Sequence, residues 1–297
     1  MNNHPSATII ILNWNNWRDT IACVESCQKL TYSNFRIVIV DNCSTDGSED
    51  VLRGKLPESE IIQTGANLGF AGGNNVGIRL ALESVSDYIW LLNNDAVTEP
   101  RTLTMLVEAM ENHPTAAIAG SKIYYHDEPQ KIWFAGGAWS KGRLRLRQRG
   151  AYQMDEGQFD ELCTIGSVSG CSMMVRTSAI KKIGLMDESY FLYWEDTDWC
   201  ARAAKIGYTI LFAPKSRVWH KISTTVKAHS DLQYYYFTRN GLRFCWKHDL
   251  LSLPVFLIYI FVDVLYGLLR GRMSMFNGFR KGINDGFCGR SGKQGQI

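Results

Sequence analysis

From Ala7 to Asp95 the chain alternates apolar runs of strand length with segments of helical periodicity, and three of those runs stop abruptly in polar residues. "ATIIILNW" reads as a strand, and "RDTIACVESCQKL" follows it with Ile21, Val24, Cys27 and Leu30 at helical spacing. "FRIVIVDN" is a second strand; "CSTDGSED" then turns the chain, with Ser48 as the expected cap of a short helix. "EIIQT" gives a third strand, "GGNNVGIRLALES" a helix and "DYIWLLNND" a fourth strand. This alternation predicts an α/β fold with a mostly parallel central sheet and helices on both faces.

The polar endings are Asn13 and Asn15 after the first strand, Asp41 and Asn42 after the second, and Asn93, Asn94 and Asp95 after the fourth. Open α/β sheets bind ligands outside the carboxyl ends of their strands, where strand order reverses. These residues are therefore expected to converge on one crevice.

Beyond it, "TEPRTLTMLVEAMENHP" reads as a helix capped by Thr98, with Pro100 in its first turn and Pro114 after its end. "AAIAGSKIYY", "KIWFAGGAWS" and "GRLRLRQRG" read as strands of a mixed second half, "EDTDWCARAAKIGY" as a helix and "TILFAP" as a strand. One domain over residues 1–238 is expected, in two halves of about 1–114 and about 115–238. A basic helical region over 239–297 follows it. From Arg239 onward there are nine Lys or Arg against three Asp or Glu, although the whole chain carries only +3.

Hydrophobic residues make up 45% of the chain and charged residues 21%, a balance that fits neither disorder nor a polytopic membrane protein. The eight cysteines form no C-x-x-C pair and no Cys/His cluster at zinc spacing. With no secretory leader at the start, they read as free thiols of a cytoplasmic protein.

Four stretches can carry chemistry. "GANLGFAGGNNVG" sets Gly65, Gly69, Gly72, Gly73 and Gly77 between a strand and a helix, where backbone can approach a phosphate. It matches neither G-x-G-x-x-G nor the P-loop, and a flexible loop is the other reading. Asp41 can accept hydrogen bonds from a base or ribose, or from its own turn. Asp95, beside two amides at a strand end, suits Mg²⁺ or Mn²⁺ held jointly with a diphosphate, or else a capping role ahead of Thr98. Glu195, Asp196 and Asp198 open a helix behind Tyr190, Phe191, Tyr193 and Trp194. Acids there complement the helix dipole, but aromatic walls also suit sugar faces and can raise a carboxylate toward general-base range. His220, after "FAPKSRVW", is either a packed core histidine or free to reach the same crevice.

Together, "IILNWNNW", "IVIVDNCSTDGS", "NLGFAGGNNVGI", "WLLNNDAV", "GCSMMVRTSAIKKIGLMDESYFLYWEDTDWCAR" and "VWHKIS" resemble the family 2 glycosyltransferases of the GT-A (nucleotide-diphospho-sugar transferase) fold, rhamnosyltransferase-like branch. The likeness covers nearly the whole chain. It implies that Asn13, Asn15 and Asp41 hold the nucleoside, with Asn42 and Asn94 from the same strand ends, and that Asn67, Gly69 and Asn74 lie along the donor. Asp95 would ligate Mg²⁺ or Mn²⁺ through the family's D-x-D element, which reads Asn93-Asn94-Asp95 here and so lacks its first carboxylate. His220 would complete the metal shell. Asp196, with Glu195 beside it in the "ED" motif, matches the catalytic base. The implied reaction is inverting transfer of a sugar, with rhamnose from dTDP-rhamnose the first expectation and UDP-linked hexoses the next. The acceptor would be a hydroxyl of a saccharide or lipid-linked saccharide in cell-surface polysaccharide synthesis. A nucleotidyltransferase would use a similar crevice but leave "WED" unexplained, and a non-catalytic nucleotide-sugar-binding partner is the alternative from another class.

Residues 250–269, "LLSLPVFLIYIFVDVLYGLL", have the length of a membrane span, but Pro254 and Asp263 argue against one. Ser252, Tyr259, Asp263, Tyr266 and Arg270 fall on one helical face, which predicts an amphipathic helix. With Arg272, Arg280 and Lys281 it fits peripheral contact with anionic lipid through 250–281, on the cytoplasmic face of the membrane. Folding back on the catalytic domain, or burial in a homodimer, is the other reading. Arg143, Arg145, Arg147 and Arg149 alternate onto one strand face, either a solvated edge or a contact for lipid-linked phosphate. No nucleic-acid-reading motif accompanies the basic residues.

Overall fold

The structure is a computed structural model that describes residues 4–84, 86–137, 148–221, 231–270 and 273–295. Its first part alternates as the hydrophobic pattern requires: β1 (Ala7–Asn13), α1 (Trp17–Cys27), β2 (Phe35–Asp41), α2 (Ser48–Lys55), β3 (Glu60–Gln63), α3 (Gly69–Glu83) and β4 (Tyr88–Asn93). A short β5 (Ala96–Thr98) and α4 (Thr102–Glu111) lead to β6 (Ala116–Tyr125), β7 (Ile132–Phe134) and β8 (Cys163–Thr164). Then come β9 (Ser172–Arg176), α5 (Thr177–Ile183), α6 (Glu195–Lys205) and β10 (Thr209–His220), followed by α7 (Asp231–His248), α8 (Leu253–Leu269) and α9 (Met273–Phe287).

The main sheet runs β3-β2-β1-β4-β9-β6-β10-β5. The first four strands are mutually parallel, β9 lies antiparallel between β4 and β6, and β10 is parallel to β6. Chain order reverses between β1 and β4, so the crevice expected at a switch point opens beside Asn13 and Asn93. Alternate side chains of the parallel strands feed two cores, as a strand's period of two requires. Ile9, Ile11 and Trp90 pack with Val24, Leu103 and Leu106 on one face. Ile10, Val38, Val40 and Leu91 pack with Ile78, Ile180 and Trp199 on the other. Burial of each such aliphatic side chain contributes about 1.5–3 kcal/mol, so these strands are held rigid from both sides.

Several expected details move. Ser48 is not a cap: Gly47 takes that place at φ 79°, and the Ser48 N–H donates to Asp46 at 3.0 Å. Thr98 lies in β5, drawn there by antiparallel pairing with Val218 of β10. Helix α4 therefore starts after Pro100, and the Glu99 N–H donates to the Thr102 hydroxyl at 2.9 Å. Arg143, Arg145 and Arg147 lie outside the described residues, while Arg149 sits in a turn with its guanidinium over the Phe159 ring at 4.7 Å.

Residue 238, the expected domain boundary, falls inside α7. Helices α7, α8 and α9 form a third core of Leu242, Phe244, Phe256, Ile260 and Phe279 that also takes in Tyr190 and Trp194. Phe256 and Ile260 of α8 face inward, yet Ile258, Phe261, Leu265 and Leu269 on its opposite side are exposed. The helix thus folds back on the rest of the chain by one apolar face and leaves another apolar face exposed. By length and composition alone, Leu250–Leu269 is apolar enough to cross a membrane.

Candidate active site

Asp95 stands in the two-residue link between β4 and β5, and β5 carries it to the end of β10, where Ala96 pairs with His220. The Lys221 N–H closes this corner on the Asp95 carbonyl at 2.9 Å. His220 Nε2 is 3.0 Å from Asp95 Oδ1, but off the hydrogen-bonding direction, so neither carboxylate oxygen accepts a hydrogen bond. Asp95 is only 2% exposed. A buried carboxylate without donors is costly, and an oxygen-plus-imidazole set of this kind fits a hard divalent cation. Asn93, whose Nδ2 lies 3.4 Å from His220 Nε2, holds the place of the missing acid. No third His, Cys, Asp or Glu converges among the described residues, so remaining coordination would fall to diphosphate oxygens and water.

The residues expected on the donor side form a linked shell along the ends of β1 and β2 and the start of α3. Asp41 is fully buried and pairs in register with Asn13. Its Oδ1 accepts from Asn13 Nδ2 and the Ser44 hydroxyl, each at 2.6 Å, and its Oδ2 from the Ser44 N–H at 2.9 Å and Gln63 Nε2 at 2.8 Å. These bonds come from its own turn at Ser44 and from the neighbouring strands at Asn13 and Gln63. Asn13 Oδ1 in turn accepts from Thr20 at 2.7 Å. Asn15, exposed at φ 53°, accepts the Thr45 N–H at 2.7 Å. Asn42 bridges Asn67 Oδ1 and the Gly69 carbonyl, each at 3.1 Å, and accepts the Leu68 N–H at 2.9 Å. Asn74 caps back onto the Phe70 carbonyl at 2.9 Å, and Asn94 reaches the Thr20 hydroxyl at 3.0 Å. Asn15 is exposed, and Asn67 and Asn94 are half-buried. Gly69, at φ 74°, could carry no side chain, since a Cβ would stand 2.4 Å from the Phe191 carbonyl oxygen.

Asp196 lies in the first turn of α6 and is partly exposed. Its Oδ2 accepts the Gly170 N–H at 2.9 Å and its Oδ1 the Thr197 N–H at 2.6 Å. Burial raises its pKa against the lowering pull of those donors, and the net direction is upward. Glu195 is 4% exposed, and burial followed by the Asp196 charge pushes its pKa well above the usual carboxylate range. Of the two acids, Asp196 is therefore the one with both surface and charge to offer. Asp198, fully buried, belongs to the scaffold: it meets Arg202, Lys247 and His248, each at 2.7 Å.

The aromatic stretch before these acids is strained. Phe191, Tyr193 and Trp194 have φ of 63°, 67° and 77°, a region that costs a residue with a side chain about 1–3 kcal/mol. The Phe191 carbonyl accepts the Phe70 N–H at 2.7 Å, which ties this stretch to the glycine-rich start of α3. Gly170 and Cys171, which open the "GCSMMV" stretch but have no role in the sequence expectations, join the parts: Gly170 donates to Asp196, and the Cys171 carbonyl accepts the Asn93 N–H at 3.0 Å. Asp196 and the Asn93–Asp95 corner are thus bonded to adjacent residues of one segment.

The family model described as Glycosyl transferase family 2 matches residues 8–184. An N-acetylglucosaminyl-diphospho-decaprenol L-rhamnosyltransferase of Mycobacterium tuberculosis is 27% identical over 65% of this chain and 67% of its own length. A dTDP-rhamnosyl transferase RfbF of Shigella flexneri is 28% identical over 72% of this chain and 71% of its own. Among solved structures, GalNAc-T7 with UDP, GalNAc and Mn²⁺ superposes with TM-score 0.64 at 16% identity, over 82% of this chain and 48% of that one. The mannosyltransferase PcManGT of Pyrobaculum calidifontis, in complex with GDP-Man and Mn²⁺, gives 0.59 at 14% identity, over 86% of this chain and 69% of that one. This chain spans about half the GalNAc-T7 chain, and these two likenesses establish the GT-A fold. The chain belongs to glycosyl transferase family 2, with relatives in its rhamnosyltransferase-like branch.

Proposed function

We propose that this chain is an inverting glycosyltransferase that moves a sugar from a nucleoside-diphosphate donor to a hydroxyl of a saccharide or lipid-linked acceptor. The observation that carries the reading is the Gly170–Cys171 segment, which bonds Asp196 on one side and the Asn93–Asp95 corner on the other. Two dTDP- or decaprenol-linked rhamnosyl transferases among the relatives favour dTDP-rhamnose as donor and a lipid-linked saccharide as acceptor.

Asp196 takes the proton of the acceptor hydroxyl as its oxygen attacks the anomeric carbon. The bond from that carbon to the diphosphate oxygen breaks on the opposite face, and its electron pair leaves with the nucleoside diphosphate. Carboxylates raised in pKa by burial are better matched to this work than free ones. Asp95 and His220 would hold Mg²⁺ or Mn²⁺, which when bound supplies Lewis-acid neutralisation of the diphosphate charge.

Work at the cytoplasmic face of the membrane belongs to the same proposal. The outward row of Ile258, Phe261, Leu265 and Leu269 offers apolar surface for the lipid boundary, and Arg270, Arg280 and Lys281 offer charge for anionic headgroups. To test the donor and the stereochemistry, the protein is incubated with dTDP-rhamnose or UDP-hexoses and a polyprenyl-diphospho-saccharide, and the product is read by NMR. Transfer from dTDP-rhamnose with inverted anomeric configuration is expected; a retained configuration would refute the single displacement.

A further inference from the structure

The acids at the head of α6 are presented by a backbone held by few bonds of its own. Within Tyr190–Trp194 three aromatic residues have left-handed φ, and among the described residues the only backbone bond inside the segment runs from the Leu192 N–H to the Tyr190 carbonyl at 2.8 Å. One side chain from outside the segment collects its carbonyls. Asn240, in the middle of α7 and fully buried, donates from Nδ2 to the carbonyls of Tyr190 at 2.6 Å, Leu192 at 2.7 Å and Tyr193 at 3.0 Å. Its Oδ1 accepts from Arg239 Nε at 2.9 Å. The Arg239 guanidinium donates a further bond to the Tyr190 carbonyl at 3.0 Å and one to the Gly292 carbonyl at 2.7 Å. Trp194 Nε1 completes the attachment on the Phe237 carbonyl at 3.0 Å.

We propose that Asn240 is a positioning residue for transfer: its amide holds the strained Tyr190–Trp194 backbone and so sets where Asp196 meets the acceptor hydroxyl. The proposal rests on the assignment of Asp196 as base. Only a primary amide of this size suits the place. Aspartate would set a charge against three carbonyl oxygens, and alanine takes the amide donor from all three, leaving Tyr190 with Arg239 and the Leu192 N–H. The next residue, Gly241, packs so close to Phe256 of α8 that a Cβ would meet its ring at 2.1 Å, so α7 is seated tightly where it presents the amide. Phe191 passes the constraint onward to α3 through its carbonyl, and its ring stacks on Tyr236 at 5.2 Å. The family model ends at residue 184, so this device lies outside the part that defines the family.

The test compares full-length wild type with Asn240→Ala and Asn240→Asp, and with Leu242→Ala as a control that weakens the same core but removes no hydrogen bond to the segment. Two readouts are taken: steady-state transfer with donor KM and kcat separated, and hydrogen exchange of the Leu192 and Phe70 amides, which bond within the segment. Displacement of a catalytic group by about 1 Å costs roughly a hundredfold in rate. Asn240→Ala is expected to lose about that much kcat with donor KM within about twofold, and to exchange both amides at least about tenfold faster; Leu242→Ala is expected to do neither. Should Asn240→Asp fail to fold, the alanine variant decides. Wild-type-like kcat and exchange in Asn240→Ala, or an equal kcat loss in Leu242→Ala, would overturn the proposal. If wild type itself transfers no sugar, the functional reading has failed, and the exchange readout still judges the clamp: unchanged amide protection in Asn240→Ala refutes it.

Discussion

His220 Nε2 stands 3.0 Å from Asp95 Oδ1, yet both oxygens of that buried carboxylate go without a hydrogen bond. The pair is preassembled by strand pairing, Ala96 against His220, rather than by attraction between the side chains. Asp95 is expected to matter more than His220, because it carries the charge. Asp95→Asn should weaken Mn²⁺ dependence of transfer and lower the rate at least about a hundredfold, whereas His220→Gln should mainly raise the metal concentration needed. The two substitutions are compared by titrating activity with Mn²⁺ after EDTA treatment. Equal activity of wild type in EDTA and in Mn²⁺ would show that the pair serves no cation.

The raised pKa of Asp196 has a signed consequence. A base must be deprotonated to act, so the acid limb of kcat/KM should fall above the ordinary aspartate value of about 4. Activity is lost as pH drops through that raised pKa and is regained above it. Gly170→Ala, whose Cβ would meet the Phe70 ring at 2.9 Å, should disturb the Gly170 N–H bond to Asp196 and shift the limb further up. A pH–rate profile indistinguishable between the two proteins would separate Gly170 from the base.

Asp198 is shielded from solvent completely, and its burial alone would raise its pKa. Contacts with His248, Lys247 and Arg202 more than offset that and hold it well below the usual range. A carboxylate lowered in the folded state contributes stability above its unfolded pKa, and the contribution disappears as pH falls through the folded value. Asp198→Asn takes one charged partner from Arg202, Lys247 and His248, while Lys247 keeps Asp187 and Arg202 keeps the Leu185 carbonyl, and should cost about 1–3 kcal/mol near neutral pH. Denaturant melts at neutral and acid pH check both size and sign, since the difference from wild type should shrink in acid.

The order of strands and the crevice at the β1/β4 switch were legible because alternation and abrupt polar endings are properties of local sequence. The metal corner was half legible. Asp95 and His220 could be named, but their approach depends on β5 pairing with β10, a partnership more than a hundred residues apart in the chain. The same pairing explains why Thr98 looked like a helix cap. Asp41 shows the opposite limit. A carboxylate at a strand end reads alike whether it faces a ligand or a turn, and its bonds to Asn13, Ser44 and Gln63 exist only once β1, β2 and β3 lie side by side. Asn240 had no signal at all, since a lone asparagine in a helix declares nothing about carbonyls some fifty residues earlier.

The outward face of α8 makes a further prediction. Exchanging Ile258, Phe261 and Leu265 for serine removes apolar surface without touching inward-facing Phe256 and Ile260, so the fold should persist. Flotation with vesicles containing anionic phospholipid should fall sharply for this variant and at high salt for wild type. If the variant floats as well as wild type, α8 does not dock there; a change from dimer to monomer would instead assign the face to a second copy.

The central claim is that Asp196 is the base of a sugar transfer. Its most direct measurement is nucleoside diphosphate release from dTDP-rhamnose in the presence of a lipid-linked acceptor, run beside Asp196→Asn, with donor affinity of both measured by calorimetry. The account predicts a loss of about 10²–10⁴-fold in turnover with donor affinity nearly unchanged. Turnover of Asp196→Asn at the wild-type rate would contradict it.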